Sequence, residues 1–317
     1  MQTRPTMWIL AGIALLVLIG GLLYASSLSI PAGLAWSLAI AFALEACLYS
    51  AAMLADVRAR LEARFRPARL ALWMTLSGLA PYCVYTVPNG LFDAQLFVVL
   101  AAASAAVSYW FVAFPPRRAT EFLFVAFVAA VLLSPVFPAI YGKPWPKLQL
   151  GILGQLMWTR LAALAALSIA RLEVKGFGLL PNRAEWKTGA LHFLMFLPAG
   201  ALLGWATGFA SFHLRPGPWW ETAGIAAATF VGMLWVVALR EEFFFRGLLQ
   251  PWLGLIATSL LFGLVHLPFR EFPNWRFAIL AAVAGVFYGL AYRRAGSVRA
   301  AMVTHALVNT AWRIFFF

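Results

Sequence analysis

Glu241 and Glu242 stand together in LREEFFFRG, His266 ends LLFGLVH, and His305 precedes Asn309 by four in VTHALVN. The chain has 317 residues but only 11 acids and four His. Two of each therefore fall inside the final apolar elements. An ionised carboxylate at the centre of a bilayer costs roughly 2.5–3.5 kcal/mol even on a lenient insertion scale. Groups placed there can exchange protons, hold a counter-charge or ligate a metal. The spacing divides the work. Glu242 and Arg246 are four apart and share a helix face, with the Glu on the favourable N-terminal side of the Arg. Glu241 is rotated about 100° from Glu242, so it can face another partner while Glu242 is neutralised. Phe262 lies four before His266 and can wall its imidazole. His305 and Asn309 offer an imidazole and a carboxamide to one cavity.

The elements that position these groups are membrane helices. The chain is 63% hydrophobic and 11% charged, with a mean hydropathy of +0.86. An ordinary soluble domain is near half apolar and a quarter charged. Its 14 Trp and 27 Phe suit the membrane interfaces. This composition predicts an all-α, polytopic transmembrane bundle of about ten or eleven spans, since a crossing takes roughly 20 apolar residues. The expected spans are 7–25, 31–54, 70–88, 92–114, 121–141, 149–170, 188–210, 222–249, 255–267, 276–292 and 298–316. The first has no cleavage-like sequence after it and reads as a retained anchor.

Net charge is +13, but the basic residues cluster between apolar runs and form no stripe for nucleic acid. With the N-terminus inside, the inner segments hold Arg4, then Arg58, Arg60, Arg64, Arg66 and Arg69, then Arg117 and Arg118, then Arg171, Lys175, Arg183 and Lys187, and finally Arg293, Arg294 and Arg299. The outer segments hold far fewer, which places the N-terminus in the cytoplasm. The polar stretch RLEVKGFGLLPNRAEWK at 171–187 reads as a cytoplasmic linker. It divides an N-terminal transmembrane bundle, 1–170, from a C-terminal core, 188–317. Measured from the expected turns at 250–254 and Gly296, Glu241, His266, His305 and Asn309 all fall roughly 13–20 Å deep, at one level.

Other polar residues have plainer readings. His192 reads as a packing residue, and His213 falls in a loop. Glu45 and Arg160 read as a structural pair between helices, and Gln155 as inter-helix glue. Cys47 and Cys83 read as buried thiols, with no disulfide framework.

The three signatures, Glu241-Glu242-Phe243-Phe244-Phe245-Arg246, Phe262 to His266, and His305 to Asn309, resemble those of the CPBP family, the CAAX prenyl endopeptidases and bacteriocin-processing, abortive-infection-like intramembrane proteases. Gly247, Leu267-Pro268 and the GFGLLPN stretch also resemble it. The resemblance extends from Glu173 to the C-terminus and implies that 188–317 is an intramembrane endopeptidase core. The substrate would be a membrane-associated protein or peptide, prenylated or not. Glu241 would activate water with help from His266, and His305 and Asn309 would stabilise the oxyanion, as donors in a low-dielectric cavity do strongly. Glu242 and Arg246 complete the expected site. Metal dependence stays open. Glu241, His266 and His305 offer three ligands to a divalent ion such as zinc, but there is no HExxH motif. The expected location is a bacterial inner membrane, with lipid and a peptide or protein substrate as partners. A proton-coupled transporter, or a silent binding or immunity protein, is the alternative use of the same polar cluster.

Overall fold

The structure is a computed structural model that describes residues 3–213 and 215–316. Residues 1, 2, 214 and 317, which fall in the expected domains 1–170 and 188–317, lie outside it, as do the side chains of residues 3–5, including Arg4. Helices make up most of both compact units, Met1–Glu173 and Val174–Phe317.

The first unit runs α1 (Thr3–Ser27), α2 (Ala32–Met53), α3 (Ala55–Arg64), α4 (Pro67–Thr86), α5 (Ala94–Ala113), α6 (Arg118–Leu133), α7 (Val136–Tyr141) and α8 (Gly151–Leu164). Local chemistry sets the ends. Asp93 caps α5 by accepting from the backbone N–H of Gln95 and Leu96, donors that a helix start leaves unpaired. Pro67 stands in the first turn of α4, where its missing N–H costs nothing. Polar α3 buries none of its residues. Trp158, fully buried, donates from its indole to Val128 O at 3.1 Å and ties α8 to α6.

The second unit runs α9 (Arg183–Ala206), α10 (Trp219–Gly232), α11 (Leu239–Glu242), α12 (Gln250–Leu264), α13 (Trp275–Ala295) and α14 (Val298–Phe315). Helix α9 starts inside the stretch expected as linker. Asn182 accepts from Glu185 N at 2.9 Å, and Glu185 Oε2 accepts from Asn182 N at 2.7 Å, a reciprocal cap. Glu185 Oε1 also accepts from Ser297 Oγ at 2.5 Å and Arg299 Nη2 at 2.9 Å, which ties the start of α9 to that of α14. Val298 N donates to Lys175 O at 3.0 Å. Gly176 (φ +65°) lies so close to Ser297 that any Cβ would collide with it. The GFGLLPN stretch is therefore the clamp at this end of the unit. Higher up, small residues let the helices approach, as they do wherever lipid offers no hydrophobic drive. A Cβ on Gly189 would lie 2.5 Å from Val303 Cβ, and Thr304 Oγ1 donates to Gly189 O at 3.0 Å. Phe196, Phe262, Leu280, Ala281, Ala284, Tyr288 and Ala301 form the buried core around the site.

The chain is a polytopic helical bundle, as its composition predicts. Among the described residues eight stretches are long and apolar enough to cross a membrane: Thr6–Ser27, Ala32–Met53, Pro67–Asn89, Ala94–Ala113, Gly151–Ile169, Arg183–Ala206, Trp219–Leu264 and Trp275–Ala295. Four expected spans differ. The 121–141 segment breaks at Ser134-Pro135 into α6 and α7, where Pro135 offers no N–H to the helix and Ser134 before it turns extended. The 222–249 and 255–267 segments fall in the single stretch Trp219–Leu264, which is two helices meeting at a kink at Gly254, with φ 76° and ψ 175°. The expected turn at 250–254 thus contracts to a single glycine. The 298–316 segment is helical as α14 but is not among the eight.

Candidate active site

Glu241 and Glu242 occupy the single α-turn of α11, between two π-helical stretches, Met233–Ala238 and Phe243–Leu249. A π-turn bonds i to i+5 and widens the backbone, a device frequent at functional sites. The two carboxylates diverge from this turn.

Glu242 points into the protein and is wholly buried. Its Oε2 lies 3.1 Å from Arg246 Nε, and its Oε1 accepts from His305 Nδ1 at 2.7 Å. Arg246, also wholly buried, donates from Nη2 to Gly285 O at 2.7 Å. Its guanidinium carbon lies 4.8 Å from the Phe262 ring centroid and 5.4 Å from that of Tyr288. Glu242 Oε2 and Arg246 Nε and Nη1 make no hydrogen bond, so the close ion pair itself offsets the cost of burying the two charges.

Glu241 faces a cavity of about 670 Å³. His305 Nε2 lies 3.9 Å from its Oε2 and Arg240 Nη2 lies 3.5 Å from its Oε1. Oε2 is buried without a hydrogen-bond partner. The same cavity is lined by His266, His305 and Asn309, while Glu242 and Arg246 stay behind the wall. Its remaining surface is largely aromatic, including Phe196, Trp205, Phe262, Phe277 and Trp312.

His266 sits just beyond the C-terminus of α12 rather than within a helix, because Pro268 disfavours helical geometry in the residue before it. His266 Nδ1 donates to Phe262 O at 2.6 Å, and its ring centroid lies 4.7 Å from that of Phe262. A carbonyl only accepts, so Nδ1 carries the proton and a neutral His266 has a bare Nε2. The Glu242 carboxylate fixes His305 in the same tautomer. To donate from Nε2, His305 must carry both ring protons. Asn309 Nδ2 lies 3.7 Å from Met233 Sδ.

Of the other histidines, His192 donates to Thr188 O at 2.8 Å and His213 lies near Ser211 Oγ at 3.0 Å, both outside the cavity. Two cavity residues escape a reading of spacing. Arg240 is a third charge in the LREE run, the signal that could have found it. Tyr288 is one aromatic in an aromatic-rich chain and gives no such signal. As for a metal, no three His, Cys, Asp or Glu among the described residues are gathered closely enough to hold one. The expected ligand set of Glu241, His266 and His305 is not drawn together as such a centre.

Residues 223–311 match the family described as type II CAAX prenyl endopeptidase Rce1-like. This range contains all six site residues. The uncharacterized protein YpbD of Bacillus subtilis (strain 168) is 31% identical over 77 residues, which are 24% of this chain and 40% of that protein. The chain thus matches less than half the length of this relative. No solved structure matches it. With its apolar helices, the match makes the chain a multi-pass integral membrane protein whose residues 223–311 are similar to the Rce1-like type II CAAX prenyl endopeptidase family.

Proposed function

We propose that the second unit hydrolyses a peptide bond of a membrane-associated, prenylated protein or peptide, and that Glu241 activates the attacking water. The observation that carries this reading is the unengaged Glu241 Oε2 in a cavity shared with His266, His305 and Asn309. Its neighbour Glu242 accepts from His305 Nδ1 and is ion-paired with Arg246 behind the cavity wall. One carboxylate is free to move a proton; the other holds the frame.

In the proposed sequence, Glu241 takes a proton from water as the water oxygen attacks the scissile carbonyl carbon. His266, through its bare Nε2, accepts a hydrogen bond from the same water and orients it. The carbonyl oxygen becomes an oxyanion, which accepts from Asn309 Nδ2 and from Nε2 of a doubly protonated His305. Glu241 then returns its proton to the leaving amine as the C–N bond breaks. Arg246 keeps Glu242 charged, and Glu242 keeps His305 turned toward the cavity.

The test is purified protein with a quenched, prenylated peptide tethered in vesicles. Cleavage that Glu241→Gln abolishes, in a protein that still folds, supports the assignment. Full activity in Glu241→Gln removes it. Cleavage is expected to persist after treatment with a strong chelator, and its loss, restored by added zinc, would instead assign the cavity to a metal. The basic segments favour a cytoplasmic N-terminus in a bacterial inner membrane. Labelling of single cysteines placed at Arg64 and Lys143 from either side of the membrane checks that orientation.

A further inference from the structure

We infer that Tyr288 is a positioning residue that fixes the plane of the His305 imidazole, holding Nδ1 on Glu242 and presenting Nε2 to Glu241 and the cavity. His305 has one hydrogen bond to its ring, from Nδ1 to Glu242. One such bond leaves the ring plane undetermined, because the final torsion of a histidine is broad. Tyr288 supplies the missing constraint. Its ring stacks on His305 with centroids 4.5 Å apart and planes 13° from parallel. Phe262 closes the perpendicular direction, 5.7 Å from His305 at 85° and 5.7 Å from Tyr288 at 82°.

Tyr288 also reaches the other end of the chain of charges, since the Arg246 guanidinium lies over its ring. One turn earlier on α13, on the same helix face, the Gly285 carbonyl accepts from Arg246. A Cβ at Gly285 would stand 3.3 Å from Arg246 Nη2, so glycine keeps that approach open. Helix α13 thus carries none of the acids, arginines or histidines of the site, yet it contacts both Arg246 and His305 and holds them in line with Glu242. Tyr288 is 2% exposed, so its ring has little room to leave this position. The ring, rather than the hydroxyl, makes these contacts.

The catalytic consequence rests on the proteolytic reading above; the orientation of the ring does not. The experiment therefore reads both. The protein is labelled at histidine, and its four His are resolved by their ring signals in micelles, with His305→Gln assigning His305. In the wild type the His305 ring protons are expected upfield of those of exposed His213, shielded by the stacked ring. Tyr288→Leu is expected to move them downfield and Tyr288→Phe to leave them in place, while the His192 signals stay unchanged as a check on folding. With the quenched prenylated peptide, Tyr288→Leu is expected to lower kcat by about 10²-fold at constant KM, and Tyr288→Phe to restore it. Unshifted His305 signals in the wild type overturn the inference even if Tyr288→Leu does not fold. So does a Tyr288→Leu protein whose His305 signals or kcat are unchanged. If the wild type cleaves no peptide, the proteolytic reading fails, and the ring signals still decide the role of Tyr288.

Discussion

Each unit buries a carboxylate–guanidinium pair, and the two differ in what is left over. In the first unit Arg160 grips Glu45 with two parallel bonds, Nε to Oε1 and Nη2 to Oε2, each 2.9 Å. Its Nη1 donates to Ser77 Oγ at 2.8 Å, so α8 is tied to α2 and α4 and both carboxylate oxygens are engaged. In the second unit Glu242 accepts from His305 through Oε1 and meets Arg246 only as an ion pair through Oε2, and its neighbour Glu241 turns an oxygen without a hydrogen bond into a cavity. Intramembrane charge alone therefore does not mark chemistry. The mark is a charge that the fold leaves unsaturated, next to space for a substrate.

The sharpest way to break this comparison is to neutralise one carboxylate from each region. Glu241→Gln is expected to reduce peptide cleavage by about 10⁴-fold, the upper range for a general base, with an unchanged unfolding midpoint. Glu45→Gln is expected to do the reverse: a lower midpoint, with kcat kept in the molecules that remain folded. Cleavage rates and thermal unfolding measured on the same preparations separate the two outcomes.

Next in size is the cost of a half-broken pair. Arg160→Met leaves the Glu45 carboxylate buried with no counter-charge and is expected to destabilise the protein by about 3–5 kcal/mol. Glu45→Leu combined with Arg160→Met removes both charges and is expected to recover most of that loss, because a saturated pair has only structure to offer. Glu242→Leu with Arg246→Met also removes both charges, but it deprives His305 of its acceptor. Stability is expected to return there without activity. Recovery of cleavage in the second double variant would erase the distinction between the pairs.

A smaller effect is expected at the oxyanion side. Asn309→Ala removes one donor from a low-dielectric cavity and is expected to lower kcat by about 10²–10³-fold with KM little changed. Steady-state rates over a range of peptide concentration check it.

Much of this arrangement is legible in the sequence because charge has no camouflage in an apolar chain. Glu45, Arg160, Glu241, Glu242, Arg246, His266, His305 and Asn309 stand out by type alone, and four-residue spacing brings Glu242 to Arg246. What is not legible has specific physical reasons. The offset of adjacent residues foretells that the two Glu diverge, but the π-turns around α11 change hydrogen-bond partners without changing composition, so nothing in the residues announces them. The bond from His305 to Glu242 joins residues 63 apart in sequence, beyond any periodicity. Tyr288 is hidden by its kind, one ring among 8 Tyr and 27 Phe. The end of α6 is hidden because hydropathy runs smoothly through Pro135, where the backbone does not.

The smallest expected effect tests whether scaffold and chemistry separate inside the second unit itself. Asn182 and Glu185 cap α9, and Glu185 carries the link onward to Ser297 and Arg299 at the start of α14. Asn182→Ala leaves the Glu185 amide without its acceptor and is expected to cost about 1 kcal/mol, as lost caps do. Helix α14 also holds His305 and Asn309, but both lie about two turns or more beyond the clamp, and His305 is oriented locally by Glu242, Tyr288 and Phe262. The cap should therefore act on stability while kcat stays within about twofold, since a 1 Å misplacement of the catalytic groups would show as a loss near 10²-fold. A large fall in kcat for Asn182→Ala at a temperature where the protein is fully folded would mean that the clamp sets the position of His305, and that the frame and the chemistry are one device.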